Sequence, residues 1–149
     1  MKVTLWGTRG SLPSAGPETV RYGGNTSCVE VRGRDGTLVV LDAGTGIRAL
    51  GLELVANLNG AARVEILLSH AHWDHIQGLP HFKPFFAPGN SVRIWGSRQG
   101  TTSLEAILRQ RDGEPLPHAL LVVHDQDALR HGAQASTPGS TIVNRAPPS

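Results

Sequence analysis

Apolar residues fall in short runs along this chain, separated by stretches rich in Gly, Pro, Ser and Thr. Val3 to Trp6 has the length of a first strand, and Gly7 to Gly24 reads as a long loop of the kind that often carries function in a compact domain. Cys28 to Arg32 alternates apolar and polar, the period of a half-buried strand. Arg34-Asp35-Gly36 is a turn signal, so Cys28–Arg32 and Thr37–Asp42 form a predicted hairpin. The second of these, TLVVLD, is almost wholly apolar, as a strand covered on both faces would be. Gly44 to Leu58 has helical spacing, with Ile47, Leu50, Leu54, Val55 and Leu58 on one stripe. Gly51 weakens this helix, and Asn57, Asn59 and Gly60 end it. Val64 to Leu68 and Val92 to Trp95 are further predicted strands. Thr102 to Arg111 reads as a helix, with Thr102 and Glu105 as a capping box and Leu104, Ile107 and Leu108 as its buried face. Ala119 to Val123 is the last strand-like segment, and Ala133 to Ser149 has the composition of a mostly disordered tail.

Composition narrows the class. A chain of 149 residues with 39% hydrophobic and 17% charged residues has the means for one folded domain and its core. No apolar run approaches the roughly 20 residues that span a bilayer. The N-terminus has no room for the apolar stretch of a signal peptide before Gly7. A single cysteine, Cys28, excludes an internal disulfide framework and a cysteine-based zinc ribbon, and the expected setting is the reducing cytoplasm. The net charge is only +2, and the arginines are scattered singly, so charge does not argue for RNA or other nucleic acid.

The chemistry concentrates in residues 70–75, HAHWDH. At the exit of a strand, residues i and i+2 project to the same side, so His70 and His72 can grip one ion. A turn at Trp73 lets Asp74 and His75 face a second ion close by. Imidazole and carboxylate donors suit zinc, with manganese and iron also compatible. The segment is not H-E-x-x-H on a helix, which disfavours a zincin-type protease.

H-x-H-x-D-H after an apolar strand ending in Ser69 resembles the signature of the metallo-β-lactamase superfamily. GTRGS at residues 7–11, GGNTSC at 23–28, LDAGTG at 41–46 and SHAHWDHIQGLP at 69–80 resemble its ribonuclease Z-like and cyclic-phosphodiesterase-like branch. The resemblance covers about residues 1–111. It implies an α/β (α+β) fold, the four-layer αββα sandwich, of which only the N-terminal half is present, with residues 112–149 as a divergent, partly disordered tail. It also implies a dinuclear zinc-type centre, with His70 and His72 on one ion and Asp74 and His75 on the other. Asp74 is further expected to orient the attacking hydroxide. The implied activity is metal-dependent hydrolysis of a small-molecule or nucleotide phosphodiester. A homodimer is compatible with such a half-sandwich, and no membrane partner is expected.

The chain also departs from that pattern. Complete relatives carry a third histidine, a bridging aspartate and a last histidine after the motif helix. None of His118, His124, His131, Asp125 and Asp127 sits in a matching context. The alternative is therefore a truncated, non-catalytic remnant that retains partial metal binding. Gly44-x-Gly46-x-x-Ala49 has the form of a dinucleotide fingerprint but lacks its acid at the tip of the next strand, so a Gly-rich turn packed near the metal site is the preferred reading. Asp42 is divided evenly between orienting a ligand histidine and a simple turn contact. Arg9 and Ser11, with Asn25, Thr26 and Ser27, sit in turn-rich loops as candidate donors to a phosphate at the border of the site, but Asn25 and Thr26 are expected chiefly to tie down the long loop. The three tryptophans are read as packing groups, Trp73 alternatively as a pocket wall, His81 as a local packing or hydrogen-bonding residue, and Cys28 as a buried apolar residue.

Overall fold

A computed structural model describes residues 1–57, 62–112 and 120–125, the last of these, with residues 109, 111 and 112, as backbone only. Six strands form one sheet in sequence order: β1 (Lys2–Gly7), β2 (Cys28–Arg32), β3 (Leu38–Leu41), β4 (Arg63–Leu67), β5 (Ser91–Gly96) and β6 (Leu120–Asp125). The first three are antiparallel neighbours, whereas β3 to β6 run parallel. The parallel connections pass through helices α1 (Ile47–Asn57) and α3 (Leu104–Asp112), and through a short helix α2 (Trp73–Ile76) followed by two single 3-10 turns. Parallel strands need such crossovers. The predicted hairpin is β2–β3, and its turn glycine, Gly36, has φ 86°, a conformation that favours glycine.

The core lies on one face of the sheet. Leu38, Val40, Val64, Ile66, Val92 and Ile94 pack there against Ile47, Leu50 and Leu54 of α1, Leu104 and Leu108 of α3, and Leu79, Phe82 and Phe85 of the turns. Phe82 and Phe85 meet edge to face, with ring centroids 5.4 Å apart. The described residues thus supply one α layer and one β layer. β6 pairs with β5 along its whole length, so the sheet continues past residue 111.

Several local expectations need correction. Val55 is 46% exposed, because the helix turns it away from the sheet, and the buried stripe of α1 is Ile47, Leu50, Gly51 and Leu54. Gly51 is a packing requirement: a Cβ there would lie 2.8 Å from Phe82 Cδ2 and 3.0 Å from Lys83 N. Among the described residues no element covers the outer face of β3, where Leu41 is 39% exposed. α3 is capped by Ser103, whose Oγ accepts the Ala106 N–H at 3.2 Å, and not by Thr102. Trp73 is 46% exposed and so is not a core packing group. His81 is exposed and packs into no core. Leu58, Asn59, Gly60, His118, Asp127, His131 and the tail from Ala133 lie outside the described residues.

Candidate metal centre

The parallel strands bring their C-terminal ends to one edge of the sheet. Asp42 follows β3 there, and Ser69 and His70 follow β4. The register places His124 and Asp125 of β6 beside Trp95 and Gly96 of β5, at this same edge. Open parallel sheets bind ligands at these ends.

The motif leaves β4 in extended conformation, and His72 (φ −68°, ψ 152°) precedes α2. The expected turn at Trp73 is the start of this helix, which carries Asp74 and His75 back towards His70. His70 sits between its two neighbours, with ring centroids 4.4 Å from His72 and 4.1 Å from His75. Asp74 Oδ2 lies 3.5 Å from His75 Nε2. The four predicted residues therefore stand together. Among the described residues no three His, Cys, Asp or Glu side chains are arranged to hold an ion as they stand. Their donor chemistry nevertheless suits a divalent ion. Partial desolvation and the neighbouring imidazoles, His75 and His72, hold the His70 pKa below its usual value. That favours the neutral form, which is the ligating one.

Asp42 organises the cluster from behind. It is buried and adopts φ 60°, a left-handed conformation that Asp tolerates better than most residues. Its carboxylate accepts the Ser69 N–H (2.8 Å) and the Ser69 hydroxyl (2.8 and 2.9 Å to its two oxygens), with Ser27 Oγ 3.3 Å away. His75 Nδ1 lies 2.8 Å from Asp42 Oδ2. Asp42 thus makes the histidine contact, and its other bonds reach Ser69 and Ser27 in distant segments and not a local turn or helix terminus. Ser69, which sequence reasoning used only to mark the strand end, also lies 3.0 Å from His70 Nδ1; its place immediately before the first histidine was the only signal.

The loop GTRGS reaches the motif through its backbone. Ser11, itself at φ 65°, donates its N–H to Asp74 Oδ2 at 2.9 Å. This bond is the main reason that the Asp74 carboxyl lies below its ordinary pKa, with His75 assisting. Arg9 donates Nε–H to Leu12 O, which holds the loop locally. Asn25 and Thr26 act as expected: Thr26 N–H donates to Thr45 Oγ1 (2.9 Å), Thr45 N–H to Thr26 Oγ1 (2.8 Å), and the Thr45 hydroxyl to Asn25 Oδ1 (3.2 Å). A Cβ at Gly44 would fall 2.4 Å from Asp74 O, and one at Gly46 2.6 Å from Trp6 O. These glycines are explained by close backbone packing against the motif and β1, without any dinucleotide.

A family model for the metallo-β-lactamase superfamily matches residues 21–139. The chain belongs to the metallo-β-lactamase superfamily. Two solved structures share the fold. One is the short form of human tRNase Z, with TM-score 0.52 and 24% identity, covering 85% of this chain and 48% of that one. The other is a diphosphatase of the PhnP family, with TM-score 0.56 and 22% identity, covering 83% of this chain and 49% of that one. The chain therefore spans about half the length of either neighbour, in keeping with the N-terminal half of the αββα sandwich. No curated protein matches it significantly. Among the described residues no helix is long and apolar enough to cross a membrane.

Proposed function

We propose that this chain carries the donor cluster of a dinuclear, zinc-type phosphodiesterase. His70 and His72 would hold one ion, and Asp74 and His75 the other. The observation that carries the reading is the crowding of three imidazoles and a carboxylate at the C-terminal edge of the parallel strands, with His75 Nδ1 held by Asp42. That contact turns Nε2 of His75 towards the cluster, so the ring is oriented before any ion arrives. Bound divalent ions would supply Lewis-acid stabilisation of transition-state charge and an acidified water. Asp74, ionised at neutral pH, would orient the attacking water, and Ser11 N–H fixes one of its oxygens. The neighbours are a tRNase Z and a diphosphatase, which supports a phosphate ester, small or nucleotide, as the substrate class. A single buried thiol supports a reducing, cytoplasmic setting.

A second reading is favoured by the half-length coverage of both neighbours: a remnant that binds metal and turns over little. The test is hydrolysis of bis(p-nitrophenyl) phosphate by the purified chain with zinc or manganese, before and after chelation. Chelator-sensitive turnover lost in His70→Ala supports the enzyme. Metal binding without turnover supports the remnant, and neither result would remove both. If turnover is strong, His124 and Asp125 are the next residues to replace.

A further inference from the structure

Ser69 stands between the buried carboxylate of Asp42 and the first histidine of the motif, and its hydroxyl proton can serve only one of them. Its Oγ lies 2.8 Å from Asp42 Oδ1, 2.9 Å from Asp42 Oδ2 and 3.0 Å from His70 Nδ1. The Asp42 oxygens are also met by the Ser69 N–H at 2.8 Å, the Ser27 hydroxyl at 3.3 Å and His75 Nδ1 at 2.8 Å. These are the surroundings of a carboxylate that only accepts. The Ser69 hydroxyl proton therefore goes to Asp42, and the oxygen is left with lone pairs alone for the imidazole. A bond of 3.0 Å between that oxygen and His70 Nδ1 then requires the proton on Nδ1. A neutral imidazole carries one proton, so Nε2 of His70 is bare.

We propose that Ser69 is a positioning residue: it relays the Asp42 carboxylate to His70, fixes that ring as its Nδ1–H tautomer and so presents Nε2 as the ligating atom. The inference rests on the metal-centre reading above and adds to it how the first histidine is set. His75 Nδ1 lies closer to Asp42 Oδ2, at 2.8 Å, than to Ser69 Oγ, at 3.4 Å, and takes its partner without the relay. One carboxylate thus selects the same nitrogen on both rings, directly on His75 and through a hydroxyl on His70. Left alone in water, a histidine side chain favours its proton on Nε2, so the Nδ1–H form needs a cause in the structure. The hydrogen bond made by one ring nitrogen decides which nitrogen is free for a metal. Among the described residues the His72 ring meets only the ring of His70, and its tautomer is not set in this way. Nε2 of His75, bare in this scheme, faces Asp74 Oδ2 at 3.5 Å. Two acceptors set against each other suit a shared cation.

The test reads the tautomers in the metal-free full chain by nuclear magnetic resonance of isotope-labelled histidine nitrogens, at about pH 8, where an ordinary histidine is neutral. The His70, His72 and His75 signals are identified by their loss in the three His→Ala variants. Wild-type His70 is expected to carry its proton on Nδ1. Ser69→Ala should move that proton mostly to Nε2, and Ser69→Thr, which keeps the hydroxyl, should leave it on Nδ1. His75 should hold Nδ1–H in all three chains, and His72 should not change. Ser69 is exposed, so the alanine variant should fold. Zinc affinity, by isothermal titration, should fall about tenfold in Ser69→Ala, the low end of the cost of losing a partner behind a ligating histidine, and recover in Ser69→Thr. A wild-type His70 with its proton on Nε2 overturns the proposal and needs no variant to fold. So does a Ser69→Ala chain with unchanged His70 shifts or with wild-type zinc affinity. A wild-type chain that takes up no zinc would overturn the metal-centre reading itself, a failure that the nitrogen shifts of the metal-free chain tell apart from failure of the tautomer.

Discussion

Asp42 Oδ2 lies 2.8 Å from His75 Nδ1, while the same carboxylate accepts both the N–H and the hydroxyl of Ser69. One side chain thereby ties the end of β3 to both ends of the histidine motif. Asp42→Ala should weaken zinc binding about 10–100-fold, the usual cost of losing a carboxylate behind a ligating histidine. The metal-free chain should also lose about 1–3 kcal/mol through the orphaned Ser69 N–H. Isothermal titration with zinc and urea unfolding of the metal-free variant check the two effects. Wild-type zinc affinity in this variant would remove Asp42 from the site.

The proposed donors make a direct prediction. The double variant His70→Ala, His72→Ala should lose bound zinc, read as moles of metal per chain by elemental analysis. Both histidines are exposed, so the fold should be retained, within the roughly ±0.5 kcal/mol of ordinary surface changes. Unchanged metal content would place the ion elsewhere.

Gly51 reverses a general expectation. Gly to Ala within a helix normally stabilises, by about 0.5–1 kcal/mol. Here the new methyl would meet Phe82 and the Lys83 backbone. Gly51→Ala should therefore destabilise by about 1–3 kcal/mol, the range for overpacked cores. An increase in urea midpoint would show that the Phe82 turn can yield.

Cys28 predicts a pH response. Burial, with Asp42 and Glu30 nearby, pushes its thiol from 9.0 up to about 12. Between those values the unfolded chain releases a proton that the folded chain keeps. The unfolded state then binds fewer protons, so stability falls as pH rises. The thiol's contribution is complete below about pH 9 and fades towards pH 12. Cys28→Ala should flatten the alkaline limb of the stability profile relative to wild type. In the native chain the thiol should also resist alkylation at pH 8, since the thiolate is the reactive form. Rapid native alkylation would contradict both.

What the sequence determined by itself was local. Period-two alternation marked β2, and apolar runs marked β3, β4 and β5, because a strand's burial is written every second residue. The spacing of His70, His72, Asp74 and His75 announced a donor cluster, since strand exit and turn are short-range geometry. The glycines at 36, 44 and 46 were legible as turn positions. The roles of Gly51, Ser69, Asp42 and Ser11 were decided only by tertiary structure. Each depends on a partner far along the chain: Phe82 for Gly51, Asp42 for Ser69, His75 for Asp42, Asp74 for Ser11. The same holds for β3, whose LVVL run reads as buried on both sides, yet Leu41 faces outward. An apolar run records that a strand can be covered on both faces. Whether a second layer lies there is a property of the packing of other segments, and that information is not carried by the run itself.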